Sequence, residues 1–288
     1  MARLVLLLGL LAMVAGRAAA VPAFPATVAR LPDGRALALY CAGSGSPTVI
    51  LESGWAADAG AWWKVQPLVA ATTRVCSYDR AGAGASDPGP LPRDGAAIAA
   101  DLDAALTAAG IGGPLVVVGH SAGGLYARLF AARRARDVVG LVLVEPSGEH
   151  QDRRLGAAGG TAGLLARTRA CAAAAAVHAL PSRNPALAKC DAGKAAATYA
   201  AEASELGTLM GATSDAVDRL PPARLPVIVL SAAGGAPAWI ALHAEQAARY
   251  GGEHRLVERS GHLMPKDRPD AVAQAIGEIV DRARATAP

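Results

Sequence analysis

Gly119-His120-Ser121-Ala122-Gly123 is the part of the chain whose residue types and spacing most directly suggest chemistry. An apolar run of strand length, Leu115–Val118, precedes it and a helical stretch, Leu125–Arg134, follows, so the serine falls at a strand–turn–helix junction. Flanking glycines permit a turn too tight for a Cβ, and the hydroxyl then projects from the edge of a sheet. A serine hydroxyl is almost wholly protonated at neutral pH. It attacks a carbonyl only when a neighbouring base takes its proton and nearby N–H groups receive the charge that develops on oxygen. Six histidines are available for the first task. The sequence carries no phosphate-binding loop, dinucleotide fingerprint, CxxC or HxxxH spacing, which implies chemistry without a cofactor or a metal.

The elements that would position such a serine can be read from periodicity. Strand-length runs recur at Thr48–Leu51, Arg74–Tyr78, Leu115–Val118, Val139–Val144, Val227–Leu230 and His254–Glu258, most of them followed by small or polar residues and a helical pattern. That alternation predicts a mostly parallel central sheet with helices on both faces, an α/β fold. Thr27–Leu31 and Arg35–Tyr40 flank the turn signal Pro32-Asp33-Gly34 and read as an antiparallel pair. Ile98, Leu102 and Leu106 make one face of a helix between Asp94 and Gly110, and Val272, Ile276, Ile279 and Val280 one face of the C-terminal helix. Between residues 149 and 225 the alternation stops. This segment is Ala-rich without a strand-like run, yet Cys171, Cys190, Tyr199, Leu206, Leu209 and Met210 give it apolar anchors, so it reads as a helical cap or lid.

A chain of 288 residues with 52% hydrophobic and 18% charged residues is neither disordered, collagen-like nor a coiled coil. The formal charge of +4 includes Arg3 and Arg17, and no basic run remains to follow a phosphate backbone, which excludes nucleic acid as a partner. Residues 1–20 combine a positive start, an apolar run and the small-residue end Ala18-Ala19-Ala20, the pattern of a secretory signal peptide. The run is shorter than the roughly 20 apolar residues that cross a bilayer, and no cysteine follows it for lipid attachment. A secreted or periplasmic protein without a stable membrane anchor is therefore expected. Its four cysteines, Cys41, Cys76, Cys171 and Cys190, are expected to pair in an oxidising compartment. Three connectivities are open; spacing suggests Cys171 with Cys190 across a short helical segment.

Four blocks in order resemble the α/β-hydrolase fold superfamily, and the resemblance covers nearly everything after residue 20. Leu51-Glu52-Ser53-Gly54-Trp55 resembles the loop after the third strand that supplies an oxyanion-hole amide. Tyr78 to Ser86 resembles the D-R-x-G-x-G-x-S block, and the third block is the serine turn. Ser260-Gly261-His262-Leu263-Met264-Pro265, with Arg268-Pro269, resembles the catalytic-histidine loop before the final helix. The resemblance implies Ser121 as nucleophile, His262 as base, and the amides of Trp55 and Ala122 as the oxyanion hole. It also places the strands of Cys41 and Cys76 side by side, favouring their pairing. Many relatives carry the acid after the seventh strand, but Ser231 to Pro237 holds no carboxylate. Val142 to Gly148 resembles the arrangement with the acid after the sixth strand, as in pancreatic-type lipases, which selects Glu145, with Glu149, Asp152 and Glu52 as rivals. Asp79 and Arg80 read as shaping a loop beside the site, and His120 as a local structural or pocket residue.

The expected organisation is a signal peptide (1–20), a hydrolase core (21–148 and 226–288) and a helical cap (149–225). The expected activity is hydrolysis of a carboxylic ester, or related acyl compound, in a small-molecule substrate through an acyl-enzyme. Serine rather than aspartate at the turn argues against haloalkane dehalogenase or epoxide hydrolase chemistry. An aminopeptidase or amidase of the same fold, and a non-catalytic binding protein that keeps the pocket, are the alternatives.

Overall fold

A computed structural model describes residues 24–156, 160–221 and 225–286; the expected signal peptide, residues 1–20, lies outside the described residues. Eight strands form one sheet: β1 (Thr27–Arg30), β2 (Ala36–Ala42), β3 (Thr48–Glu52), β4 (Val75–Tyr78), β5 (Leu115–His120), β6 (Val138–Val144), β7 (Val227–Ala232) and β8 (Glu253–Val257). Their spatial order is β1-β2-β4-β3-β5-β6-β7-β8. β1 and β2 are antiparallel to each other and β2 is antiparallel to β4, whereas every pair from β4 to β8 is parallel. The chain runs from β3 outward to β4, then returns to add β5 on the other side of β3. The crevice beyond the ends of β3 and β5 is thus the switch point at which open α/β sheets bind ligands.

Both faces of the sheet are covered, which is why the central strands are apolar throughout rather than alternating. Leu115 and Val117 of β5 join a cluster with Ile98, Leu102 and Leu106 of α2 (Gly95–Ala108) and Leu125 and Leu129 of α3 (Gly123–Arg133). Val116 and Val118 face the other way, towards Val65 and Val69 of α1 (Val65–Ala70) and Val272, Ile276 and Ile279 of α10 (Pro269–Ala285). Local signals end these helices where they do. Asp94 caps α2 by accepting from the Ala97 amide at 2.8 Å, a bond worth about 1 kcal/mol. α10 opens on Pro269 and Asp270 and closes on Arg282 and Arg284, in keeping with its dipole.

Between β6 and β7 the described residues form α4 (Gln151–Leu155), α5 (Ala162–Ala176), α6 (Ala196–Thr208) and α7 (Ser214–Asp218), joined by loops and turns. Cys171 on α5 bonds Cys190 in the loop leading to α6, and Cys41 on β2 bonds Cys76, its direct partner across the ladder on β4. Tyr199, Leu206 and Leu209 are buried, and Leu206 and Leu209 extend the α2/α3 cluster. Polar bonds add to this: the Ser204 hydroxyl accepts from the Arg93 amide at 2.8 Å and the Thr213 hydroxyl from the Gly95 amide at 2.9 Å. Helices α8 (Pro237–Arg249) and α9 (Met264–Asp267) complete the chain. Among the described residues no helix is long and apolar enough to cross a membrane.

Candidate active site

Ser121 sits between β5 and α3 with φ of 53°, in the left-handed region, at a cost of about 1–3 kcal/mol for a residue with a Cβ. The glycines around it leave no room for larger residues. A Cβ on Gly119 would lie 2.4 Å from the Gly123 carbonyl oxygen, one on Gly123 would lie 2.6 Å from the Glu52 and Ser53 carbonyl oxygens, and one on Gly124 would lie 2.7 Å from the Pro146 Cβ. The turn is therefore wedged between the ends of β3 and β6.

The Ser121 Oγ lies 3.0 Å from the Nε2 of His262, and the His262 Nδ1 lies 3.4 Å from the Oε2 of Glu145. A neutral imidazole that donates from Nδ1 to the carboxylate leaves Nε2 free to accept from the serine. The His262 side chain is 55% exposed and that of Glu145 12%. Glu145 follows β6 directly and has φ of 46°, also left-handed. Its second oxygen, Oε1, accepts from the Ala232 amide at the end of β7, 2.6 Å away. The place after the seventh strand, empty of a carboxylate, thus supplies a donor to one. Burial pushes the Glu145 carboxyl up, but the His262 bond, the Ala232 amide and the nearby histidines outweigh it and hold it below the usual value.

Two further histidines surround this group. His120 donates from Nε2 to the His262 carbonyl at 2.8 Å, and burial pushes its pKa down to about 4, so it is neutral at pH 7. The bond ties the histidine loop to the residue before the serine. His243 on α8 is buried, donates from Nε2 to the Pro146 carbonyl at 2.9 Å, and accepts at Nδ1 from Ser231 at 2.7 Å. Ser231 in turn accepts from the Nε2 of His254 at 2.8 Å. Burial lowers the His243 pKa, keeping an uncharged ring 4.0 Å behind Glu145. A cavity of about 450 Å³ opens beside His262, bordered by Glu145, Trp239, Ile240, His243 and Ser260.

Two of the three rival carboxylates, Glu149 and Glu52, are engaged elsewhere. Glu149 pairs with Arg128 and, at 3.0 Å, with Arg249. Glu52 is buried between Tyr78 and Arg80, and burial raises its pKa despite the guanidinium beside it. Asp152 lies on α4, and one of its oxygens is buried with no hydrogen-bond partner. Asp79 accepts from the Tyr40 hydroxyl and from the amides of Ala59 and Ala85, all within 2.9 Å, and shapes the loop around it.

Arg80 makes contacts that its sequence position did not disclose. It donates to the Ser53 and Gly54 carbonyls at 2.7 and 2.8 Å and, through Nε and Nη2, to both oxygens of Glu205 on α6 at 3.0 and 3.1 Å. No motif singles out Glu205; its signal is a carboxylate on the buried face shared by Glu202, Leu206 and Leu209. The Trp55 indole also faces α6, donating to the Glu202 carbonyl at 2.8 Å. Among the described residues, the Ala122 and Trp55 amides donate to no backbone carbonyl.

The model of the Alpha/beta hydrolase family matches residues 38–275, and the chain belongs to that family. An AB hydrolase superfamily protein of Gibberella zeae is 38% identical over 112 residues, 37% of this chain and 35% of the relative. Three curated relatives are spanned over only 15%, 35% and 16% of their length. Among solved structures, a thermophilic esterase from Thermogutta terrifontis with malate bound superposes with a TM-score of 0.68 at 22% identity, covering 90% of this chain and 99% of that one. The epoxide hydrolase CorEH, without ligand, gives 0.66 at 20% identity, covering 90% and 99%. At these identities the likeness is one of fold. The two disulfides are compatible with an extracytoplasmic protein.

Proposed function

We propose that the protein is an exported serine hydrolase that cleaves carboxylic esters of small molecules through an acyl-enzyme. One observation carries the reading: a serine at a strained turn, a histidine and a carboxylate from three separated parts of the sequence form one continuous line, with Ser121 Oγ to His262 Nε2 at 3.0 Å and His262 Nδ1 to Glu145 Oε2 at 3.4 Å. In this reading Ser121 attacks the acyl carbon as its proton passes to His262 Nε2. Glu145 stabilises the imidazolium from the Nδ1 side, and the Ala122 and Trp55 amides hold the oxyanion. His262 then returns the proton to the departing alcohol. A water activated by the same histidine releases the acid and restores Ser121.

The serine distinguishes this chemistry from that of the epoxide hydrolase neighbour's class, in which a carboxylate nucleophile is needed to form the ester intermediate. Aromatic residues make up only 4% of the chain, which favours small or aliphatic groups over stacked rings. Export rests on the leader pattern of residues 1–20 and on the paired cysteines. The test is hydrolysis of p-nitrophenyl esters of increasing acyl length by the parent and Ser121→Ala proteins. The proposal expects turnover by the parent, with a preference for short acyl chains, and its loss in the variant. Equal turnover by both would refute it.

A further inference from the structure

Arg80 has five N–H groups and uses all of them: one towards Glu52, one each to the Ser53 and Gly54 carbonyls, and two to Glu205. The Gly54 carbonyl belongs to the same planar peptide as the Trp55 N–H. In a trans peptide the oxygen and the hydrogen point in opposite directions, so an oxygen held at Arg80 turns the Trp55 N–H away from Arg80. Gly54 itself lies against the serine turn, since a Cβ there would stand 3.2 Å from the Ser121 Cβ. A guanidinium at the oxygen end also polarises the peptide and strengthens its N–H as a donor.

The other side of Arg80 belongs to the helical insertion. Glu205 grips Nε and Nη2 with both oxygens, and the pair is buried, so neither group has water as an alternative partner. One turn earlier on α6, the Glu202 carbonyl accepts from the Trp55 indole at 2.8 Å. Two independent bonds therefore run from α6 to the Ser53–Trp55 loop, one through Arg80 and one direct.

We infer that Glu205 is a positioning residue for catalysis: through Arg80 it aims the Trp55 amide at the oxyanion, so the oxyanion hole is complete only when α6 is docked on the core. This rests on the serine-hydrolase reading above. The coupling makes the insertion part of the catalytic machinery. Any substrate that seats or lifts α6 changes the rate of acyl transfer.

The experiment compares an oxygen ester with the matching thionoester, whose sulfur accepts hydrogen bonds poorly and so draws less on the oxyanion hole. Glu205→Gln keeps the side-chain shape and removes the charge; Trp55→Phe breaks the indole bond and leaves the backbone amide in the chain. Loss of a complete oxyanion donor costs about 10²–10³ in kcat, so a misaimed one is expected to cost Glu205→Gln about tenfold in kcat with KM little changed. The ester-to-thionoester ratio falls by a similar factor, and Trp55→Phe shifts it in the same direction. Equal loss on both substrates, or no loss, overturns the inference. Should Glu205→Gln fail to fold, the ratio is measured for Glu205→Asp, which keeps the charge but shortens the reach to Arg80, and an unchanged ratio there overturns the inference. Parent protein lacking Ser121-dependent turnover would overturn the hydrolase reading and this inference together. Turnover by the parent with unchanged ratios in the variants overturns this inference alone.

Discussion

Replacing Glu145 by glutamine removes both the charge and the acceptor that the proposed triad offers to His262 Nδ1. The amide oxygen can still accept from Ala232, whose N–H lies 2.6 Å from Oε1, so the strained backbone at this position keeps its anchor. What disappears is the negative charge beside the imidazolium that forms as Ser121 loses its proton, and the amide N–H₂ now facing Nδ1 favours the tautomer whose Nε2 carries the proton and cannot accept from Ser121. Unit charges 4 Å apart interact by about 4 kcal/mol at an effective dielectric of 20, and the separation here is 3.4 Å. His262 is 55% exposed, and water screens part of that attraction. The charge is then worth about 3 kcal/mol of transition-state stabilisation, roughly two orders of magnitude in kcat, and the wrong tautomer adds to that loss. Steady-state hydrolysis of a short p-nitrophenyl ester near pH 8 measures it, with melting temperature as the check on folding. A variant within threefold of the parent would refute Glu145 as the acid and reopen the search among Glu149, Asp152 and Glu52.

Three other perturbations follow from the same geometry. His120 stays neutral in the folded protein down to about pH 4, whereas the unfolded chain takes up its proton near its ordinary value of 6.5. Its contribution to stability is therefore present above pH 6.5 and lost as pH falls to about 4, by about 3 kcal/mol, and urea unfolding of His120→Gln across that range should show a flatter profile. Gly84→Ala puts a Cβ 2.1 Å from the Asp79 carboxylate at a φ of +51°, so a stability loss above about 2 kcal/mol is expected in the same assay; a variant within about 0.5 kcal/mol of the parent would contradict the packing. Removing Cys171 and Cys190 together opens a link with a sequence separation of 19, worth about 3 kcal/mol of chain entropy, and a double alanine variant should unfold at correspondingly lower urea.

Much of this was legible because it is local. The apolar run Leu115–Val118, the glycines around Ser121 and the helical stretch after it form a contiguous signal, and Gly119, Gly123 and Gly124 each prove to face backbone or Pro146 at distances no Cβ tolerates. Strand ends shifted by one or two residues, since β5 continues to His120 and β7 to Ala232, where hydrogen-bond register rather than apolar content decides the boundary. Both cysteine pairs match the favoured connectivity, one suggested by spacing and one by the strand neighbours that the family resemblance implies. The hidden part is long-range and polar. Ala232 serves through its amide, which every residue but proline has, and Glu205 acts on Arg80 across 125 positions, so neither contact leaves a pattern in neighbouring residues. The Trp55 indole, which by residue type could line a pocket, instead donates to the Glu202 carbonyl. The left-handed backbone at Glu145 likewise has no glycine to announce it.

The central claim is that Ser121 is an activated nucleophile, and covalent labelling tests it without knowledge of the natural substrate. Parent protein and Ser121→Ala are treated with a fluorophosphonate, and intact mass followed by peptide mapping locates the adduct. The account predicts one adduct per chain, on the peptide containing Ser121, and none in the variant. An unlabelled parent protein, or labelling that persists in Ser121→Ala, would contradict it.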